Sequence, residues 1–266
     1  MGGLEVMDPG YRALFEQCQV ALNGDPRVRA VRAGGSVATG TADRWSDLDL
    51  VVLVEDEALP SFLDDWETWL AEITPTVFAR RPIAPSIINS LTTDGLTLDI
   101  AVYPISTSAP PPPVAGFTVG LLARQSLPDH REAVAYAVEE LLRGLAGPFI
   151  GYLKRNAHVL HLAGMAHVTS LLIKILLAEN DVAALPGKHI DDVLTDEQRE
   201  MLAALPPVNP TYDRLLAFGL AVAREIVTRS RPLYSKFDLP WPSELAAVAA
   251  KRVKEHLGTD TSAWLF

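Results

Sequence analysis

From residue 8 the apolar positions Leu14, Phe15, Cys18 and Leu22 recur at helical spacing. Asp8 stands where a side chain can cap the first turn and Pro9 occupies its first position, so residues 8 to 23 predict an amphipathic covering helix. Residues 28 to 33 then read as a strand, followed by a glycine turn, a short helix, and a second strand over residues 47 to 54 that is nearly continuous in branched apolar residues on its buried side. Helical period returns over residues 58 to 72 through Leu59, Phe62, Leu63, Trp66, Trp69 and Leu70, with the tryptophans read as helix-on-sheet packing. Between Thr76 and Pro104 the period shortens again. Strands are predicted at residues 77 to 79, 86 to 91 and 96 to 103, the last two joined by the hairpin signal Thr93-Asp94-Gly95.

The prolines of residues 109 to 114 predict a stiff extended loop, and residues 117 to 123 one more strand. Beyond Pro128 the pattern is helical, over residues 129 to 145, 148 to 179, 195 to 205, 211 to 230 and 242 to 257, with Gly and Pro separating the segments. The expected division is therefore an α/β domain over residues 1 to 126 and an all-α helical bundle over residues 127 to 266.

Composition narrows this picture in three ways. With 266 residues and 48% hydrophobic content the chain can bury a substantial core. Its one cysteine, Cys18, excludes an internal disulfide and reads as helix packing, which fits a reducing compartment. No apolar run is read as approaching the ~20 residues that span a bilayer, and no signal region opens the chain, so the expectation is a soluble cytoplasmic protein. The formal charge of −10 disfavours a polyanionic partner such as nucleic acid and suits a cationic small substrate.

The chemistry concentrates in residues 34 to 50. Side chains alternate along a strand, so Asp47 and Asp49 point one way while Leu48, Leu50 and Val52 point into the core. Gly34 and Gly35 remove the Cβ atoms that would keep phosphate oxygens from the backbone amides, and Ser36 adds a hydroxyl. Two carboxylates beside such a turn suit a metal-bound nucleoside triphosphate. The stretch resembles the signature of the DNA polymerase beta-like nucleotidyltransferase superfamily: a Gly-Ser pair, about ten residues, then Asp-X-Asp leading a hydrophobic strand. Here the pieces are Gly35-Ser36 and Asp47-Leu48-Asp49, with Ser46 directly before the first acid, as in many antibiotic nucleotidyltransferases. The size and order of the segments are similar to the streptomycin and spectinomycin adenylyltransferase group.

The resemblance implies an α/β nucleotidyltransferase domain with a mixed sheet, followed by the helical bundle as a substrate-binding domain. It implies a third carboxylate on a neighbouring strand, for which Asp99 is the candidate. Asp47, Asp49 and Asp99 would hold two Mg²⁺ ions, and Gly35 and Ser36, supported by Ser46, the β and γ phosphates of ATP. The activity implied is transfer of AMP to a hydroxyl of a small acceptor, an aminoglycoside among the candidates, which would make antibiotic resistance its role. Asp99 is the first candidate for general base, with Glu139 or Glu140 as substitutes. Lys174, inside a very apolar helix, and Lys188, in a Pro-Gly-Lys loop, are the cations that would reach the triphosphate or the substrate. His158, His161 and His167 read as packing or cleft polar residues. Two other readings stay open: a nucleotide-binding module without turnover, and a nucleotidyltransferase acting on RNA ends or a protein.

Overall fold

The computed structural model describes residues 3–81, 86–107, 129–182 and 189–266, which fall in two compact units, residues 1–116 and 117–266. The proline run, the strand expected at residues 117 to 123, the domain boundary expected at residue 126, and Lys188 lie outside the described residues.

The first unit is a mixed five-stranded sheet with helices packed on one face. Its elements are α1 (Pro9–Gly24), β1 (Val28–Ala33), α2 (Gly35–Thr39), β2 (Leu48–Val54), α3 (Leu59–Asp64), α4 (Trp66–Ile73), β3 (Thr76–Arg80), β4 (Ile87–Thr92) and β5 (Thr97–Pro104). The spatial order is β1-β2-β5-β4-β3, with β2 and β5 parallel and the other pairs antiparallel. Asp8 caps α1 as its sequence suggests, its carboxylate accepting from the Gly10 amide at 3.1 Å. Thr93 to Gly95 close the β4–β5 hairpin, where Gly95 takes the left-handed conformation and its amide donates to the Thr92 carbonyl.

The core lies on one side of the sheet. Leu48, Leu50, Val52 and Val54 of β2, Leu98, Ile100 and Val102 of β5 and Ile88 of β4 face Leu14, Cys18, Leu22, Phe62, Trp69, Leu70 and Ile73 from the helices. Each large apolar side chain buried there contributes about 1.5–3 kcal/mol. The single helix expected over residues 58 to 72 is two, with the break at Asp65, whose carboxylate accepts from Arg27 at 2.7 Å.

The second unit is helical: α5 (His130–Ala146), α6 (Pro148–Lys154), α7 (His158–Glu179), α8 (Ile190–Val193), α9 (Asp196–Ala204), α10 (Tyr212–Lys236), α11 (Ser243–Leu257) and α12 (Ser262–Leu265). The expected helix over residues 148 to 179 breaks where Asn156 adopts φ +55°, and α10 runs on through Pro232. α7 departs from the expectation that no apolar run approaches the length that spans a bilayer. By length and composition this helix could cross a bilayer, with a mean hydropathy of 1.6 across its most apolar window, because its histidines and Lys174 dilute the apolar pattern without reversing it. In the fold it packs between α5 and α10 and buries Met165, Leu171, Leu172 and the run from Ile175 to Ala178.

Candidate active site

The pleat of β2 delivers the acids. Leu48, Leu50, Val52 and Val54 are buried in the core, and the alternate residues Asp49, Val51 and Leu53 are half-buried on the opposite face. Parallel pairing sets Asp49 level with Asp99 of β5. Antiparallel pairing carries the same row onward, Asp99 opposite Asn89 of β4 and Asn89 opposite Arg80 of β3. Residues paired directly across strands share a face, so Asp49, Asp99, Asn89 and Arg80 stand in one line on the side away from the helices.

The turn after β1 closes the other end of this line. Gly34 donates its amide to the Asp49 carbonyl at 2.8 Å, and Gly35 follows at φ +48°. A Cβ at residue 35 would lie 1.8 Å from Asp49 Oδ2. Glycine here is thus required twice, by the left-handed backbone and by the carboxylate lying against it. The next side chain, Ser36, holds its hydroxyl buried with no hydrogen-bond partner among the described residues. A buried polar group left so costs about 1–3 kcal/mol, and the hydroxyl is a donor in reserve for an anion.

Electrostatics bind the three acids into one site. Burial first, then the charges of Asp47 and Asp99, push the Asp49 carboxyl up to about 7. Acids that press on one another in this way fit a hard divalent cation with oxygen ligands. Among the described residues no three acidic, histidine or cysteine side chains stand close enough to hold an ion as they are, so ion binding requires the carboxylates to turn toward a shared centre.

Other side chains singled out in the sequence have different surroundings. Ser46 is buried and spends its hydroxyl inside the loop before β2, accepting from the Asp43 amide at 2.9 Å and lying 3.2 Å from Asp43 Oδ1. It fixes the backbone that presents Asp47. Glu140, on α5, is ion-paired to Arg143 at 2.6 Å with His167 at 3.6 Å. Burial opposes its ionisation, but Arg143 and His167 outweigh that and hold its carboxyl down at about 2, which ill suits a general base. Lys174 is half-buried on α7, and desolvation lowers its pKa. His161 is buried edge-on to Phe149, and desolvation, then His158, lowers it to about 4.

Asn89 and Arg80 were not among the residues expected at the site. Nothing local marks them, since their place follows from strand order and register.

Residues 20–89 match the family model described as a nucleotidyltransferase domain, a span that holds Gly35, Ser36, Ser46, Asp47 and Asp49 and stops short of Asp99. Among solved structures the chain is similar to an aminoglycoside 6-adenyltransferase from Bacillus subtilis, at 15% identity over 93% of this chain and 97% of that one, with a TM-score of 0.40. It is also similar to a cytoplasmic RNA terminal U-transferase, at 16% identity over 83% of this chain and 64% of that one, with a TM-score of 0.28. At these scores neither likeness fixes a donor or an acceptor. No protein of curated function matches the sequence.

Proposed function

With a nucleotidyltransferase domain over residues 20–89 as the premise, we propose that the chain moves a nucleoside monophosphate, AMP from ATP in the first instance, to a hydroxyl of a small acceptor with Mg²⁺ as cofactor. The observation that carries this reading is the level pairing of Asp49 with Asp99 beside the Gly35 turn. Asp47, Asp49 and Asp99 would hold Mg²⁺, which when bound neutralises charge on the triphosphate and on the leaving pyrophosphate. Ser36 Oγ and the backbone amides of the turn bind the β and γ phosphates. The acceptor oxygen attacks the α-phosphorus in line; the new O–P bond forms as the α–β bridging P–O bond breaks, and the pair from that bond leaves on pyrophosphate. Asp99, holding the ion only loosely, takes the hydroxyl proton, and the packed residues of the Asp43 to Ser46 loop hold the backbone from which the Asp47 side chain turns toward the ion.

The test is pyrophosphate release from each of the four ribonucleoside triphosphates with Mg²⁺, over a panel of hydroxylated acceptors that includes aminoglycosides, neutral sugars and sugar phosphates. The reading expects release that depends on both Mg²⁺ and one class of acceptor. Tight nucleotide binding with no release over the whole panel would favour a binding module.

A further inference from the structure

In-line transfer gives the row of residues a direction. The leaving pyrophosphate lies at the Gly35–Ser36 end, so the nucleophile must come from the opposite side of the α-phosphorus. On the sheet that side is the continuation of the row past Asp99, and it holds Asn89 and then Arg80. Asn89 offers an amide donor and acceptor next to the proposed base. Arg80 lies two strand spacings from Asp99, roughly 10 Å along the sheet.

Arg80 is built into this face. Its neighbour Arg81 points to the helix side, where its guanidinium donates to the Leu63 carbonyl at 2.7 Å. Arg80 alternates to the carboxylate side and stands with its guanidinium carbon 5.3 Å from the centre of the Phe78 ring. Phe78 is buried on the same strand, two residues earlier, so the ring steadies the guanidinium. A planar fork of donors held over an aromatic ring matches the oxygens of a phosphate or carboxylate better than a lysine would.

Resting on the donor orientation proposed above, we propose that Asn89 and Arg80 form the acceptor end of the site and that the acceptor carries an oxyanion, phosphate or carboxylate, which Arg80 binds. The overall charge of −10 argues for a cationic acceptor, but charges beyond about 8 Å are largely screened at physiological ionic strength, so the groups touching the acceptor decide. The cationic acceptor suggested by the net charge therefore gives way to an anionic one.

The test uses the full chain with Mg²⁺ and a non-hydrolysable ATP analogue filling the donor end, and calorimetry with glucose, glucose 6-phosphate, glucuronate and streptomycin as probes of charge. At least one of the two anionic sugars is expected to bind ten times or more tighter than glucose, with streptomycin no better than glucose. Arg80→Gln should erase the advantage of the anion, Arg80→Lys should keep part of it, and Asn89→Ala should weaken all sugars alike. Wild-type protein that does not favour either anionic sugar, or that favours streptomycin, overturns the proposal, as does an advantage that survives in Arg80→Gln. If the anion competes with the analogue instead of binding beside it, Arg80 serves the donor and the proposal also falls. Failure of the analogue to bind the wild type would sink the donor reading beneath it and is seen in the same titration before any sugar is added.

Discussion

Replacing Asp49 with Asn should make the metal-free protein more stable while destroying its affinity for Mg-nucleotide. Burial and two neighbouring acids raise the Asp49 carboxyl from an ordinary 3.8 to about 7. The folded protein therefore holds a proton there that the unfolded chain has already lost, and stability falls as pH rises between about 4 and about 7. Each factor of ten in proton affinity is worth about 1.4 kcal/mol, which sets a ceiling on the order of 4 kcal/mol for keeping this carboxylate ionised at pH 8. Because the group is only half-buried and water can relax around it, an effect on the order of 2 to 4 kcal/mol is the working figure. Asn keeps the shape without the charge, so the gain should be near zero at pH 4 and full above pH 7. Urea unfolding of both proteins in EDTA across that range measures it. Equal stabilities at pH 8, or a gain that does not grow with pH, would refute the reasoning. A divalent ion must likewise displace this proton from the wild type, so its affinity should strengthen as pH rises toward about 7.

Gly35→Ala should remove nucleotide binding by forcing Asp49 aside, since the added methyl meets Oδ2 at 1.8 Å and the backbone stays at φ +48°; calorimetry with Mg-ATP reads it, and retained affinity would mean that the turn and the acid move freely. Ser36→Ala should leave the metal-free protein as stable or more so, because it deletes a buried unpartnered hydroxyl, yet weaken ATP by about 1–3 kcal/mol. Paired melting and binding curves separate the two effects, and unchanged ATP affinity would make the turn structural only. Glu140→Gln should cost about 1–3 kcal/mol at pH 7 by removing the carboxylate that faces both Arg143 and His167. The Glu140 carboxyl is held below its ordinary value, so that loss should close as pH falls from about 4.5 toward about 2, which thermal melts across pH would show.

The parts of this fold carried by short-range pattern were legible in the chain. The bounds of β1, the Asp8 cap, the Gly95 hairpin and the two-residue spacing of Asp47 and Asp49 depend only on neighbours in sequence. The breaks at Asp65 and Asn156 were not, since an acidic residue and an asparagine inside helical periodicity look like solvated helix positions until tertiary contacts end the turn there. Pro232 misled in the other direction. A proline normally ends a helix at a cost of about 3 kcal/mol, but Leu233 and Tyr234 are buried just beyond it and keep α10 going to Lys236. The site divides along the same line. Gly35, Ser36, Asp47 and Asp49 are one local motif, and Asp99 became a candidate only through the third carboxylate that the resemblance implies. Asn89 and Arg80 enter only because β5 sits between β2 and β4, an order set by the packing of the whole sheet.

In the proposed function Asp47, Asp49 and Asp99 hold a divalent ion against a triphosphate seated on the Gly35–Ser36 turn. ATP affinity measured by calorimetry in Mg²⁺ and in EDTA, for the wild type and Asp47→Ala, tests this without needing to know the acceptor. The expected result is a Mg²⁺ advantage of about a hundredfold, about 2.7 kcal/mol, in the wild type, and its loss in the variant with the fold intact by circular dichroism. Wild-type protein that binds ATP equally well in both solutions, or an Asp47→Ala protein that keeps the full advantage, would contradict it.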